Sequence, residues 1–185
     1  MKIAVLAGGL STERNISFIT GSNVCRALRE RGHQAAIADL YLGFENVDTA
    51  PKAAFDAPDG LLNTITVTRE EPDLAAVRAS RKEQSGSVFG PGILEFCGAA
   101  DMVFLALHGQ CGEDGRIQAA FDLLGIPYTG AGYVSSAMAM DKAITKAMMA
   151  SAGILTPKWQ EFRYTREDIP ALCGKIDCPC VVKVV

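Results

Sequence analysis

Glu13 and His108 are the side chains whose types and settings point most directly to chemistry. Glu13 follows a glycine pair in Gly8-Gly9-Leu10-Ser11-Thr12-Glu13. His108 opens the loop His108-Gly109-Gln110-Cys111-Gly112-Glu113-Asp114-Gly115, which has three glycines, one imidazole and two carboxylates. A carboxylate holds an ammonium group; an imidazole orients a carboxylate or relays a proton. An amino-acid-like ligand satisfies both. Glycines at Gly8-Gly9 let backbone amides approach a ligand closely. Plainer alternatives stay open: a solvated Glu13, a structural His108, and an Asp114 that only caps the following helix. Lys142 and Lys183 add two cations. Lys183 sits in Val181-Val182-Lys183-Val184-Val185, where strand alternation turns it away from Val182 and Val184. A cation there is costly without a partner, and a phosphate is a suitable one. A solvated strand face is the alternative.

These residues need elements to position them. The apolar run Met102–Leu107 predicts a buried strand of a parallel sheet, and Arg116–Leu124 predicts a helix after the loop. Met1–Gly9 reads as a first strand. A helix is predicted over Ser17–Arg31, with Val24, Ala27 and Leu28 at helical spacing and Gly32 as its stop. Gln34–Tyr41 reads as a second strand, which makes a βαβ start and a parallel sheet. In open sheets of this kind, ligands bind beyond the carboxyl ends of the strands. The loops bearing Glu13 and His108 lie there and can be neighbours. Leu42–Gly92 is weakly patterned, with a short strand expected at Thr64–Val67 and a helix at Leu74–Lys82. A short helix follows at Ile93–Cys97, and Ile126–Gly130 reads as a strand closing the first domain. A boundary near Ala137–Asp141 predicts domains at 1–139 and 140–185. In the second, Asp141 caps a helix Lys142–Ala152 stopped by Gly153, with Ile144, Met148 and Ala152 on one face. Lys158–Phe162 and Cys180–Val185 read as strands.

The chain has 185 residues and a formal net charge of -3. It lacks the basic surplus of a nucleic-acid binder and any apolar run long enough to cross a bilayer. The N-terminus has neither the length nor the cleavage pattern of a signal peptide and reads better as a first strand. The six cysteines are expected as scattered, buried, reduced thiols, since Cys173, Cys178 and Cys180 match no common zinc spacing. The closing apolar run predicts a chain cut from a longer one, because an unfinished strand exposes a pairing edge.

Taken in order, the motifs resemble the D-alanine–D-alanine ligases of the ATP-grasp superfamily. Gly8–Arg14 looks like the family's first glycine loop with its glutamate. His108–Ala119 is similar to the family signature at every constrained position, and Gly125–Gly130 follows as in the family. Met140-Asp141-Lys142 and Val181-Val182-Lys183 look like the two lysine segments of the nucleotide site. The resemblance covers nearly the whole chain except about Gly43 to Val88. It implies an α/β fold: a Rossmann-like parallel-sheet N-terminal (pre-ATP-grasp) domain followed by an incomplete ATP-grasp central domain. It also implies roles. Glu13 would bind the ammonium of the first D-alanine and His108 would order that subsite. Lys142 and Lys183 would contact ATP phosphates. ATP would phosphorylate the first D-alanine, and the amine of the second would attack the acyl phosphate, in a cytoplasmic step of peptidoglycan precursor synthesis. Such phosphoryl transfer is mostly positioning and charge stabilisation, which suits paired lysines and Mg2+. The Mg2+ ligands are expected beyond Val185, with none in this chain. A homodimer is implied as well.

Val184 stands where the family usually has proline, and the serine-rich phosphate loop would lie further on. The full-length protein is therefore expected to be the enzyme, and these 185 residues alone to be inactive. Two alternatives remain: a relative making a D-alanine–D-lactate or D-alanine–D-serine product, and a non-catalytic domain that dimerises or binds a ligand weakly. A dinucleotide-binding domain is disfavoured, since no complete G-x-G-x-x-G follows the first strand.

Overall fold

The computed structural model describes residues 1–57 and 70–183. Strands β1 (Lys2–Ala7), β2 (Gln34–Asp39) and β3 (Met102–Leu105) form a parallel sheet in the order β2-β1-β3. Lys2 pairs with Gln34 through to Ala7 with Asp39, and Ile3 with Met102 through to Leu6 with Leu105. The central strand is covered on both faces, which is why Ile3–Ala7 is apolar without alternation. On one face, Ala4, Leu6, Ala38 and Val103 pack with Phe96 of α4 (Ile93–Gly98) and Phe121 of α5 (Arg116–Leu124). Phe55 stacks on Phe96 with ring centroids 4.9 Å apart. On the other face, Val5, Ala7 and Ile37 meet Phe18 and Cys25 of α1 (Arg14–Glu30).

Several boundaries depart from expectation. Helix α1 starts at Arg14 rather than Ser17, because the Glu13 carbonyl already accepts from Ser17 N at 2.9 Å. Gly32 ends it at φ 81°, as expected. Strand β3 stops at Leu105, although Ala106 N still donates to the Leu6 carbonyl at 2.9 Å. The strand expected at Ile126–Gly130 reduces to one bridge, Tyr128 with Val103. The expected strand at Thr64–Val67 lies outside the described residues. Helices α2 (Ala50–Ala53) and α3 (Leu74–Ser80) occupy the weakly patterned middle. Helix α6 (Tyr133–Met140) was not signalled by a cap; it follows Gly130 and Gly132 directly.

The chain divides into two compact units, Met1–Ala137 and Met138–Val185. In the second, helix α7 (Lys142–Ser151) is capped by Asp141, whose carboxylate accepts from Ala143 N at 3.0 Å and Ile144 N at 2.9 Å. Ile144 and Met148 on this helix are exposed. Helix α8 (Ile169–Cys173) follows a 3-10 turn, Arg166–Asp168. The strands expected at Lys158–Phe162 and Cys180–Val185 do not form among the described residues, and Val184 and Val185 fall outside them. A strand requires neighbours to take up its N–H and C=O groups. No described residue of this unit belongs to a strand.

All six cysteines are free. Cys25 and Cys97 are buried as expected, but Cys111 is half-buried and Cys173, Cys178 and Cys180 are exposed, which corrects the buried-thiol expectation. Burial pushes the Cys97 thiol up to about 12. It also raises Cys25, against the opposing charges of Arg29 and Arg26. Among the described residues, no helix is long and apolar enough to cross a membrane.

Candidate functional site

The carboxyl ends of β1 and β3 are tied by one hydroxyl. Ser17 Oγ donates to the Ala106 carbonyl at 2.7 Å and accepts from Gly8 N at 2.8 Å. Gly9 N donates to Asp39 Oδ1 at 3.3 Å. Both glycine amides are thus taken up inside the fold, which corrects the expectation that they face a ligand. Glycine at position 8 serves packing instead. Its φ is 75°, and a Cβ there would lie 2.8 Å from both Asp39 Oδ1 and the Phe18 ring.

Arg14 and Asp39 form a buried ion pair beside this loop. Arg14 Nη1 donates to Asp39 Oδ1 at 3.2 Å and to the Gly9 carbonyl at 2.7 Å, while Nη2 donates to Asp39 Oδ2. The guanidinium lies over the Phe18 ring, 4.9 Å from its centroid. Asp39 Oδ1 also accepts from Tyr41 N at 2.9 Å and Leu42 N at 3.3 Å. Desolvating two charges is tolerable only with this degree of hydrogen bonding.

Glu13 and the His108 loop meet as expected. Glu13 is exposed, and its carboxylate makes no hydrogen bond or ion pair among the described residues. Its Oε2 sits 2.7 Å from where a Cβ on Gly109 would be. Gly109, at φ 69°, lets the loop pass this close. The His108 ring is held at Nε2, which lies 3.1 Å from Thr20 Oγ1, while Nδ1 faces Glu113 Oε1 at 3.9 Å, beyond hydrogen-bond distance. Glu113 Oε2 accepts from Gly109 N at 2.7 Å. Asp114 precedes the cap residue of the next helix, Gly115, and braces the loop. Its Oδ2 accepts from Cys111 N at 2.9 Å, steadying a residue at φ 67°, and Oδ1 accepts from Arg116 N at 3.2 Å. Buried Gln118 donates to the Gly112 carbonyl at 2.8 Å and anchors the loop from α5.

A cleft of about 20 Å³ opens beside His108, between Gly9, Leu10, Tyr41, Leu107 and Cys111. That is room for about one water. Glu13 does not line it. The surface where Glu13, Gly109 and His108 adjoin is therefore the better candidate for an amino-acid ligand.

The two lysines lie in the second unit. Lys142 is half-buried, and its Nζ donates to the Met140 carbonyl at 3.3 Å. That leaves ammonium donors for an anion such as phosphate. Lys183 is exposed and outside any strand, so the costly embedded cation expected from the valine run is not what the fold presents. Among the described residues, no group of three or more His, Cys, Asp or Glu side chains is placed to share a metal ion.

Sequence reasoning missed Ser17, Thr20, Arg14 and Asp39. The signals were modest. Ser17 and Thr20 are three apart, hence on one face of α1. Asp39 is a lone carboxylate ending a strand that is apolar from Ala35 to Ala38.

Fold and site together define a Rossmann-like α/β domain that carries its polar side chains on loops at the carboxyl ends of adjacent strands. Residues 2–131 match the family model described as D-ala D-ala ligase N-terminus. The chain belongs to the D-alanine–D-alanine ligase family and corresponds to its N-terminal part. The D-alanine–D-alanine ligase of Lacticaseibacillus casei (strain BL23) is 40% identical over 187 residues, covering 99% of this chain and 50% of the relative. That of Pediococcus pentosaceus is 40% identical over 188 residues, covering 99% and 52%. The chain spans about half the length of the curated relatives it matches. Among solved structures, the ligase from Coxiella burnetii superposes with a TM-score of 0.56 at 27% identity, covering 95% of this chain and 50% of that one. The Bacillus anthracis ligase complexed with ATP shares the fold, with a TM-score of 0.55 at 24% identity over 91% of this chain and 44% of that one.

Proposed function

We propose that this chain is the N-terminal half of a ligase that joins two D-alanines with ATP hydrolysis, in the bacterial cytoplasm, for peptidoglycan precursors. The observation that carries this reading is the exposed Glu13 carboxylate, without a partner among the described residues, lying against Gly109 next to a His108 ring hydrogen-bonded to Thr20. Glu13 receives the ammonium of the first D-alanine. His108 orders the same subsite, with Thr20 setting the ring's direction. A held ring matters because a bound reactant must be presented within a narrow range of geometries.

Residues 1–139 form the substrate-bearing domain in this reading, and 140–185 begin an ATP-grasp domain. Lys142 contacts ATP phosphates with its remaining donors, and Lys183 contributes a second cation. No group of three or more metal-ligating side chains occurs among the described residues. The enzyme works as a homodimer in this reading.

In the full-length ligase carrying this half, Glu13→Gln removes the anion but keeps the shape. The KM for the first D-alanine rises at least tenfold, about the loss of one charge-assisted hydrogen bond, while the KM for ATP holds. Unchanged D-alanine kinetics would remove Glu13 from the subsite.

A further inference from the structure

Asp39 lies at the end of β2, apart from the loops that carry Glu13 and His108, yet it is bonded to both the glycine loop and the start of α1. We propose that Asp39, acting through Arg14, is a positioning residue that keeps the Glu13 carboxylate free for an ammonium group. This rests on the reading that Glu13 receives the ammonium of the first D-alanine.

The reasoning starts from sequence adjacency. Arg14 directly follows Glu13, and a guanidinium stays charged at all working pH values. An unrestrained arginine beside an exposed carboxylate is a natural partner for it, and it would compete with any incoming ammonium. The structure prevents that pairing. Both Arg14 terminal nitrogens are directed to Asp39, Nη1 also holds the Gly9 carbonyl, and the guanidinium covers Phe18. Arg14 is 7% exposed, whereas Glu13 is exposed and makes no ion pair among the described residues. Asp39 is itself fixed by three backbone amides, from Gly9, Tyr41 and Leu42. Its carboxylate therefore cannot follow the arginine outward. A charge-assisted, two-pronged contact of this kind carries direction as well as strength.

The test is a set of variants in the full-length ligase, with Glu13→Gln run in parallel. Asp39→Asn leaves Arg14 without its counter-charge. The KM for the first D-alanine is expected to rise about tenfold, with the KM for ATP unmoved. The double variant Arg14→Gln with Asp39→Asn removes the liberated cation, and the D-alanine KM should return to within about threefold of the parent. A purely structural role would instead make the double variant no better than the single one, and that result overturns the proposal. So does an unchanged D-alanine KM in Asp39→Asn when Glu13→Gln has raised it. If Asp39→Asn does not fold, Arg14→Lys gives the same reading, because it keeps the charge and loses the two-pronged contact. A raised D-alanine KM with parental ATP kinetics supports the proposal, and parental values for both refute it. If Glu13→Gln itself leaves D-alanine kinetics unchanged, the ammonium reading fails first and this one falls with it.

Discussion

In G109A, a methyl group would appear 2.7 Å from Glu13 Oε2 and 2.7 Å from Ser11 Oγ. Two costs arise. Holding alanine at φ 69° costs about 1–2 kcal/mol, because its Cβ crowds the following carbonyl. The overlap adds to this. Glu13 is exposed and can swing aside, but Ser11 is buried and its Oγ accepts from Glu13 N at 3.1 Å. The total is therefore about 2–4 kcal/mol, with the Glu13 carboxylate displaced. Gly32 provides the control. Its φ is 81°, and a Cβ there meets nothing within 4 Å, so G32A carries the backbone cost alone. Calorimetric melting should show G109A below G32A, by about 2–4 °C for each further kcal/mol. In the full-length ligase, G109A should also raise the D-alanine KM about tenfold while G32A leaves it unchanged. Equal melting points for the two variants, together with parental D-alanine kinetics in G109A, would refute the close approach of Glu13 to this loop.

Three further outcomes follow from the packing and the caps. Phe121 is fully buried between Phe89 and Tyr128, so Phe121→Ala should cost about 3–5 kcal/mol in a denaturant titration of the first unit. Asp141→Ala removes acceptors from Ala143 N and Ile144 N and should loosen α7 by about 1 kcal/mol, read as faster amide exchange at those two positions. The buried Cys97 thiol binds its proton more tightly folded than unfolded. Its stabilisation is complete below pH 9.0, its ordinary value, and is lost as pH rises towards about 12. Denaturation midpoints should therefore fall across that window, and less steeply in Cys97→Ala.

Strands β1 and β2 and helix α5 were legible because their apolar residues fall in unbroken runs or at helical spacing between clear stops. Helix α7 was legible from Asp141, whose cap the structure reproduces. Helix α6 was not, because Tyr133–Met140 has no capping residue and few polar positions to show a face. Lys158–Phe162 misled for a different reason. Strand propensity is local, whereas a strand is realised only by pairing. At the site, the meeting of Glu13 with the His108 loop was legible from topology. The internal use of the Gly8 and Gly9 amides was not, because it depends on Ser17 and Asp39, which are remote in sequence and close only after β1, β2 and α1 have packed.

The register of β1 on β3 also bears on how such a site can change. Leu6 faces Leu105, and Ser17 bridges Gly8 and Ala106 just beyond that pair. The separation of the points where the two loops leave the sheet is therefore set by a hydrogen-bonded ladder. A slip of one residue would turn every core side chain of the strand to the wrong face. Intermediate spacings are closed to this scaffold. A change in what these loops hold would therefore fall to their side chains rather than to the frame. A fixed frame with exchangeable loop side chains lets the held group change while the strand geometry stays the same.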